Sequence, residues 1–113
     1  MEFQTDTISD ICVIRLQGRL DMKGTQEVEA DFNKNAGERG ESVIVDLSGV
    51  PYIASIGIRL FLTNIKKLAP LGKKMVVLRP QKMVEEVFKL AGVDSIIRIE
   101  HDDSTAADFI KEA

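Results

Sequence analysis

Cysteine and histidine are nearly missing from this chain, which has one of each, Cys12 and His101, in 113 residues. A single cysteine excludes an internal disulfide, and its place inside the apolar run ICVIRL fits a small buried hydrophobe rather than a reactive thiol, which needs exposure and nearby positive charge. The one histidine lies in the charged segment Glu100-His101-Asp102-Asp103, where a solvated loop residue is expected in place of a general base. No Cys/His set has zinc-ligand spacing. The glycines of Leu47-Ser48-Gly49 and Ile56-Gly57 are too sparse for a phosphate-cradling or dinucleotide loop. No catalytic residue, metal site or cofactor is therefore assigned, and a binding or switching module is expected rather than an enzyme.

Charge of one sign is also scarce. Fifteen basic and eighteen acidic side chains leave a formal charge of −3, and no run of Lys or Arg is long enough to track phosphates, so nucleic acid is not an expected partner. No apolar run approaches the roughly 20 residues that a spanning helix needs, which argues against membrane insertion. The opening MEFQTDTISD is acidic and polar, unlike a signal peptide, and a cytoplasmic location is expected. What is present is an ordinary globular balance, 44% hydrophobic and 29% charged, in a length that suits one domain.

Residues 3–8 and 11–17 read as two strands joined at Ser9-Asp10, with Cys12, Ile14 and Leu16 on one face of the second. From 23 to 36, Val28 and Phe32 recur at a spacing of four in a mostly polar surface helix, closed by the loop of Gly37 and Gly40. The continuous run Val43-Ile44-Val45 within 42–47 predicts a central strand covered on both faces. Helix 55–69 carries Ile58, Phe61, Leu62, Ile65 and Leu68 on its core stripe and stops at Pro70. A strand over 74–78 leads through Pro80 to a helix with Met83, Val84, Val87, Phe88 and Ala91 on one face, closed by Gly92. A last strand over 95–99 and a helix with Ala106, Ala107, Phe109 and Ile110 complete the order ββαβαβαβα. Strands alternating with helices after an opening hairpin imply an α/β domain with a mixed sheet.

Two features could carry function. Asp46, Asp102 and Asp103 end strands, where ligands often bind, although turn and helix-capping carboxylates are the better reading. Ser55 stands at the start of the clearest helix. Its first assignment is the N-cap, and the same place would favour an added phosphate through unpaired amides and the helix dipole. At 100° per residue Ile56 and Leu60 fall opposite the core stripe and share the outer face with Arg59, Thr63 and Lys67. An exposed apolar pair in a polar rim, next to Ser55, predicts a protein-docking patch.

The segment Gly18-Arg19-Leu20-Asp21, the strand and turn VIVDLSGVPYIASIG, and the stretches LGKKMVVLRP and VFKLAGVDSIIRI together resemble the STAS-domain anti-sigma factor antagonists of bacteria over nearly the whole chain. The resemblance implies one STAS domain over 1–113, an α/β fold with a mixed four- to five-stranded sheet flanked by about four helices. It also implies a phosphoprotein that regulates transcription indirectly by binding an anti-sigma factor with serine kinase activity. The phosphorylated residue would be Ser55. Asp21 matches a contact position for the kinase partner, and Ser55, Ile56, Gly57, Arg59 and Leu60 complete the implied docking face. The loop reads A-S-I-G, so Ala54 stands where the family has an acidic residue and Ile56 where it has a small one. An alternative is a constitutive, unphosphorylated STAS module in a larger signalling or lipid-transport assembly.

Overall fold

The computed structural model describes residues 1–112. Strands β1 (Glu2–Ile8) and β2 (Ile11–Gln17) form the antiparallel hairpin, in register from Glu2 opposite Gln17 to Ile8 opposite Ile11. Ser9 and Asp10 both take positive φ, 50° and 69°, the pattern of a two-residue turn whose twist matches that of the strands it joins. The chain then alternates: α1 (Met22–Asn35), β3 (Val43–Gly49), α2 (Ser55–Leu68), β4 (Met75–Leu78), α3 (Lys82–Leu90), β5 (Arg98–Glu100) and α4 (Asp103–Lys111). The sheet order is β1-β2-β3-β4-β5, antiparallel at β1 and parallel thereafter.

Because the strands add in sequence order and parallel crossovers keep one hand, α1, α2 and α3 gather on the same face of the sheet. Ile14 and Leu16 of β2, Val43, Val45 and Leu47 of β3, and Met75 and Val77 of β4 meet Val28, Phe32, Phe61, Leu68, Val84 and Phe88 there. The Phe32 and Phe61 rings stack at 5.3 Å and join α1 to α2. The other face is smaller. Ile11, Val13, Ile44, Val76 and Leu78 pack beneath Ala106 and Ala107 of α4. Strand β3 is thus buried on both sides, which is why its sequence does not alternate. No helix among the described residues is long and apolar enough to cross a membrane.

Three local expectations change. The strand over 95–99 is shorter and later, Arg98–Glu100, because the Val93 carbonyl accepts from the amides of Ile96 and Ile97 and holds those residues in a turn; of the apolar pair only Ile97 is buried. Met83 is 63% exposed rather than core, since it lies about 100° around the helix from Val84. Ala91 is also exposed: it is the C-cap, where the chain leaves the helix through Gly92 at φ 71°. Helix α2 gives way at Leu68 to a single 3-10 turn, Ala69–Leu71, that accommodates Pro70.

Candidate functional site

Two loops distant in sequence are joined at the carboxyl ends of β2 and β3. Leu20 and Ile53 form an isolated parallel bridge, in which the Leu20 amide donates to the Tyr52 carbonyl at 2.9 Å and the Ala54 amide donates to the Leu20 carbonyl at 2.9 Å. Both side chains are almost fully buried and anchor the pair. One residue beyond each bridge position lies the N-cap of a helix, Asp21 for α1 and Ala54 for α2. The bridge therefore sets Asp21 and Ser55 on neighbouring helix starts.

Asp21 caps α1 by accepting from the Gly24 amide at 2.8 Å, and its outer oxygen lies 3.7 Å from Arg19 Nε. The Arg19 guanidinium also covers the Tyr52 ring at 4.3 Å, tying the two loops together a second time. Glycines make the close approach possible. A Cβ at Gly24 would lie 1.9 Å from the Arg19 carbonyl oxygen, and one at Gly57 would lie 2.9 Å from Ile53 Cγ1 and 3.2 Å from Leu20 Cβ. Gly57, expected on the docking face, is accordingly buried against the bridge, and Gly24 is a supporting residue that the sequence pattern did not single out.

Ser55 does not cap α2. The N-cap is Ala54, which has no side-chain acceptor, and Ser55 occupies the first helical position with an exposed side chain. The extended backbone that a cap requires falls one residue earlier because the Ala54 amide is committed to the bridge. The serine hydroxyl is thereby left for other chemistry.

The expected apolar pair on the outer face also changes. Leu60 is only 5% exposed and Ile56 is half-buried, whereas Arg59 and Thr63 are exposed. Only part of the outer side of α2 is open to water, because α1 packs against the helix through Phe32, which stacks on Phe61, and through Asn33, which accepts from Asn64 at 2.9 Å. Apolar surface is instead open on the opposite flank. A groove of about 460 Å3 runs between the start of α2 and the end of α3, lined by Tyr52, Ile53, Ser55, Ile58, Val87 and Leu90. Leu90 is 89% exposed beside it. It carries no signal in the sequence, being one apolar residue at the end of a short helix.

The carboxylates at the strand ends are already engaged. Asp46 is 5% exposed; one oxygen accepts from the Ser48 amide at 2.9 Å and the other pairs with Arg15, with Arg79 at 3.9 Å. A guanidinium thus stands where a bound cation would. Asp102 caps α4, and hydrogen bonds from the Ser104 hydroxyl and amide hold its carboxyl below the usual range; Asp103 pairs with Arg79 at 2.7 Å. No group of three or more potential ligands gathers among the described residues. His101 lies 2.9 Å from Glu85 with its side chain 57% exposed, an open surface contact that belongs to a loop residue.

Residues 2–108 match the family model of the STAS domain. The chain is 27% identical over 113 residues, all of it and 97% of the relative, to BtrV of Bordetella bronchiseptica, provisionally named an anti-sigma factor antagonist. It is 25% identical over 95 residues, 82% of this chain and 81% of the relative, to the anti-sigma F factor antagonist of Lysinibacillus sphaericus. Among solved structures it resembles the Bacillus cell fate determinant SpoIIAA. The TM-score is 0.77 to the unphosphorylated form, at 20% identity over 99% of both chains. To the phosphorylated form it is 0.69, at 21% identity over 96% of this chain and 99% of that one. The mixed five-stranded sheet with four helices is the architecture these neighbours share.

Proposed function

From the premise that this chain belongs to the STAS-domain family, we propose that it is an anti-sigma factor antagonist that docks on an anti-sigma factor with serine kinase activity and is released when Ser55 is phosphorylated. One observation carries the reading: Ser55 opens α2 with an exposed side chain that caps nothing, on the rim of an apolar groove and next to the Asp21 loop. Relatives named as anti-sigma factor antagonists support it, as does a structural neighbour solved both with and without phosphate. The protein works by binding alone, and the chemistry belongs to the partner.

In the unmodified state the partner covers the groove beside Leu90 and Ile58, and Asp21, Ser55, Ile56 and Arg59 form the polar and mixed part of the contact. Gly57 and Leu60 act from below by holding α2 in place. Phosphorylation adds about −1.5 to −2 charges at Ser55. The first amides of α2 stabilise that charge within the free protein, whereas a docked partner would have to desolvate it. A difference of about 3 kcal/mol between the two states would weaken the complex roughly 150-fold.

The test is incubation with ATP and the serine kinase encoded nearest to this protein's gene. Intact mass should rise by one phosphate, and Ser55→Ala should abolish the rise. Equal labelling of that variant would remove Ser55 from the mechanism. A second reading, the constitutive module in a larger signalling or lipid-transport assembly, draws on Ala54 and Ile56, which depart from the family loop. Under it Ser55→Asp keeps partner binding; under the switch that charge weakens it.

A further inference from the structure

Most arginines of this fold are engaged. Arg19 lies 3.7 Å from Asp21 and covers the Tyr52 ring, and Arg15, Arg79 and Arg98 are each paired with a carboxylate. Arg59 is different: it is exposed and has no ion pair among the described residues, although Glu29 of α1 borders the same cleft. Helix α2 carries three cations, Arg59, Lys66 and Lys67, and no carboxylate. The two lysines lie in its last turn, where they suit the negative end of the helix dipole. Arg59 has no such role, since it stands one turn from the positive end and no acidic residue of the first turn offsets it.

Helix geometry fixes where Arg59 stands relative to Ser55. Residues four apart lie one above the other, with about 5–6 Å between their Cβ atoms. Long helical side chains also lean towards the helix N-terminus, so Arg59 extends over the turn that Ser55 opens. Both side chains are in water. A serine hydroxyl gives a guanidinium little to hold, whereas a phosphate offers oxygens that accept two N–H bonds in parallel. Across the bridge between the loops, Asp21 would repel a phosphate, and Arg19 is already shared between Asp21 and Tyr52.

We propose that Arg59 is the internal counter-ion of phosphorylated Ser55, its guanidinium folding back one turn to close on the phosphate. The proposal rests on the reading of Ser55 as the phosphorylated residue and deepens it. A guanidinium that serves the docking face in the unmodified chain is then engaged within the protein, so phosphorylation withdraws a contact as well as adding a charge.

The test uses the full chain with phosphoserine installed at position 55 during translation, followed by phosphorus NMR across pH. The second ionisation of the phosphate should come at a lower pH with Arg59 than in Arg59→Gln, by about 0.3 pH unit, a twofold change in dissociation constant and the size of one exposed ion pair at this helical spacing. Arg59→Lys should keep most of that difference. Without phosphate, Arg59→Gln should unfold at the same temperature as the unaltered sequence, because the side chain is in water. Equal ionisation with Arg59 and in Arg59→Gln would overturn the proposal. So would a larger change in Arg19→Gln than in Arg59→Gln, which would assign the counter-ion to the Asp21 loop. A change in Arg59→Lys as large as that in Arg59→Gln would mean that an altered helix rather than charge acts on the phosphate, and a lower unfolding temperature for unphosphorylated Arg59→Gln would mean that another group already holds Arg59; either result overturns it. The phosphoserine is supplied without a kinase, so failed phosphate transfer to Ser55 would end the switch reading and leave these ionisation values standing.

Discussion

The two flanks of α2 bear on different neighbours and are built differently. Towards α1 the helix is closed: Leu60 is 5% exposed, Asn64 is fully buried, and the Phe32–Phe61 stack and the paired amides lock the two helices together. Towards the end of α3 it is open, and Ile58, Val87 and the 89% exposed Leu90 border a groove that no described element fills. Both flanks are partly apolar. Only on the closed one does a neighbouring helix remove that surface from water, so hydrophobicity alone does not tell a packing face from a docking face.

The sharpest contrast is between two leucines. Leu60→Ala should destabilise the protein by about 2–5 kcal/mol, because it opens a cavity in the closed seam. Urea unfolding measures this, and a loss below about 1 kcal/mol would mean that the seam is looser than its burial suggests. Gly57→Ala should come next, costing about 1–3 kcal/mol by forcing the new methyl against Ile53 and Leu20 where the two loops are bridged. The same titration reads it, with amide exchange at Leu20 and Ala54 reporting whether the bridge has opened. Leu90→Ala should change stability by no more than about 0.5 kcal/mol, since the side chain is already in water. It should still weaken partner binding by about tenfold or more, as expected for a leucine buried only in the complex. If Leu90→Ala unfolded as easily as Leu60→Ala, the distinction between the flanks would fail.

Much of the architecture was legible because it depends on local periodicity. The run Val43-Ile44-Val45 marked a strand buried on both faces, and the recurrence of Val28 with Phe32 and of Ile58 with Phe61 marked helices with an apolar side. Periodicity does not carry the contacts between helices. The stripe of Ile58, Phe61 and Leu68 is not the whole buried arc of α2: a helix that packs on a sheet and on a neighbouring helix buries a second flank, and Leu60 lies on it rather than in water. Ser55 was expected to cap because serine favours that position. A tertiary hydrogen bond from the Ala54 amide to Leu20 moves the cap one residue earlier.

By itself the sequence determined the order of strands and helices, the doubly buried central strand and the presence of a serine at the head of α2. Each of these follows from side-chain patterning within a single segment. Only the tertiary structure decided that Asp21 lies beside Ser55, that the serine hydroxyl is spared from capping, and which flank of α2 is left uncovered. Those outcomes depend on a bridge between Leu20 and Ile53, 33 positions apart, and on where α1 and α3 come to rest. No local pattern encodes a contact whose partner lies in another segment.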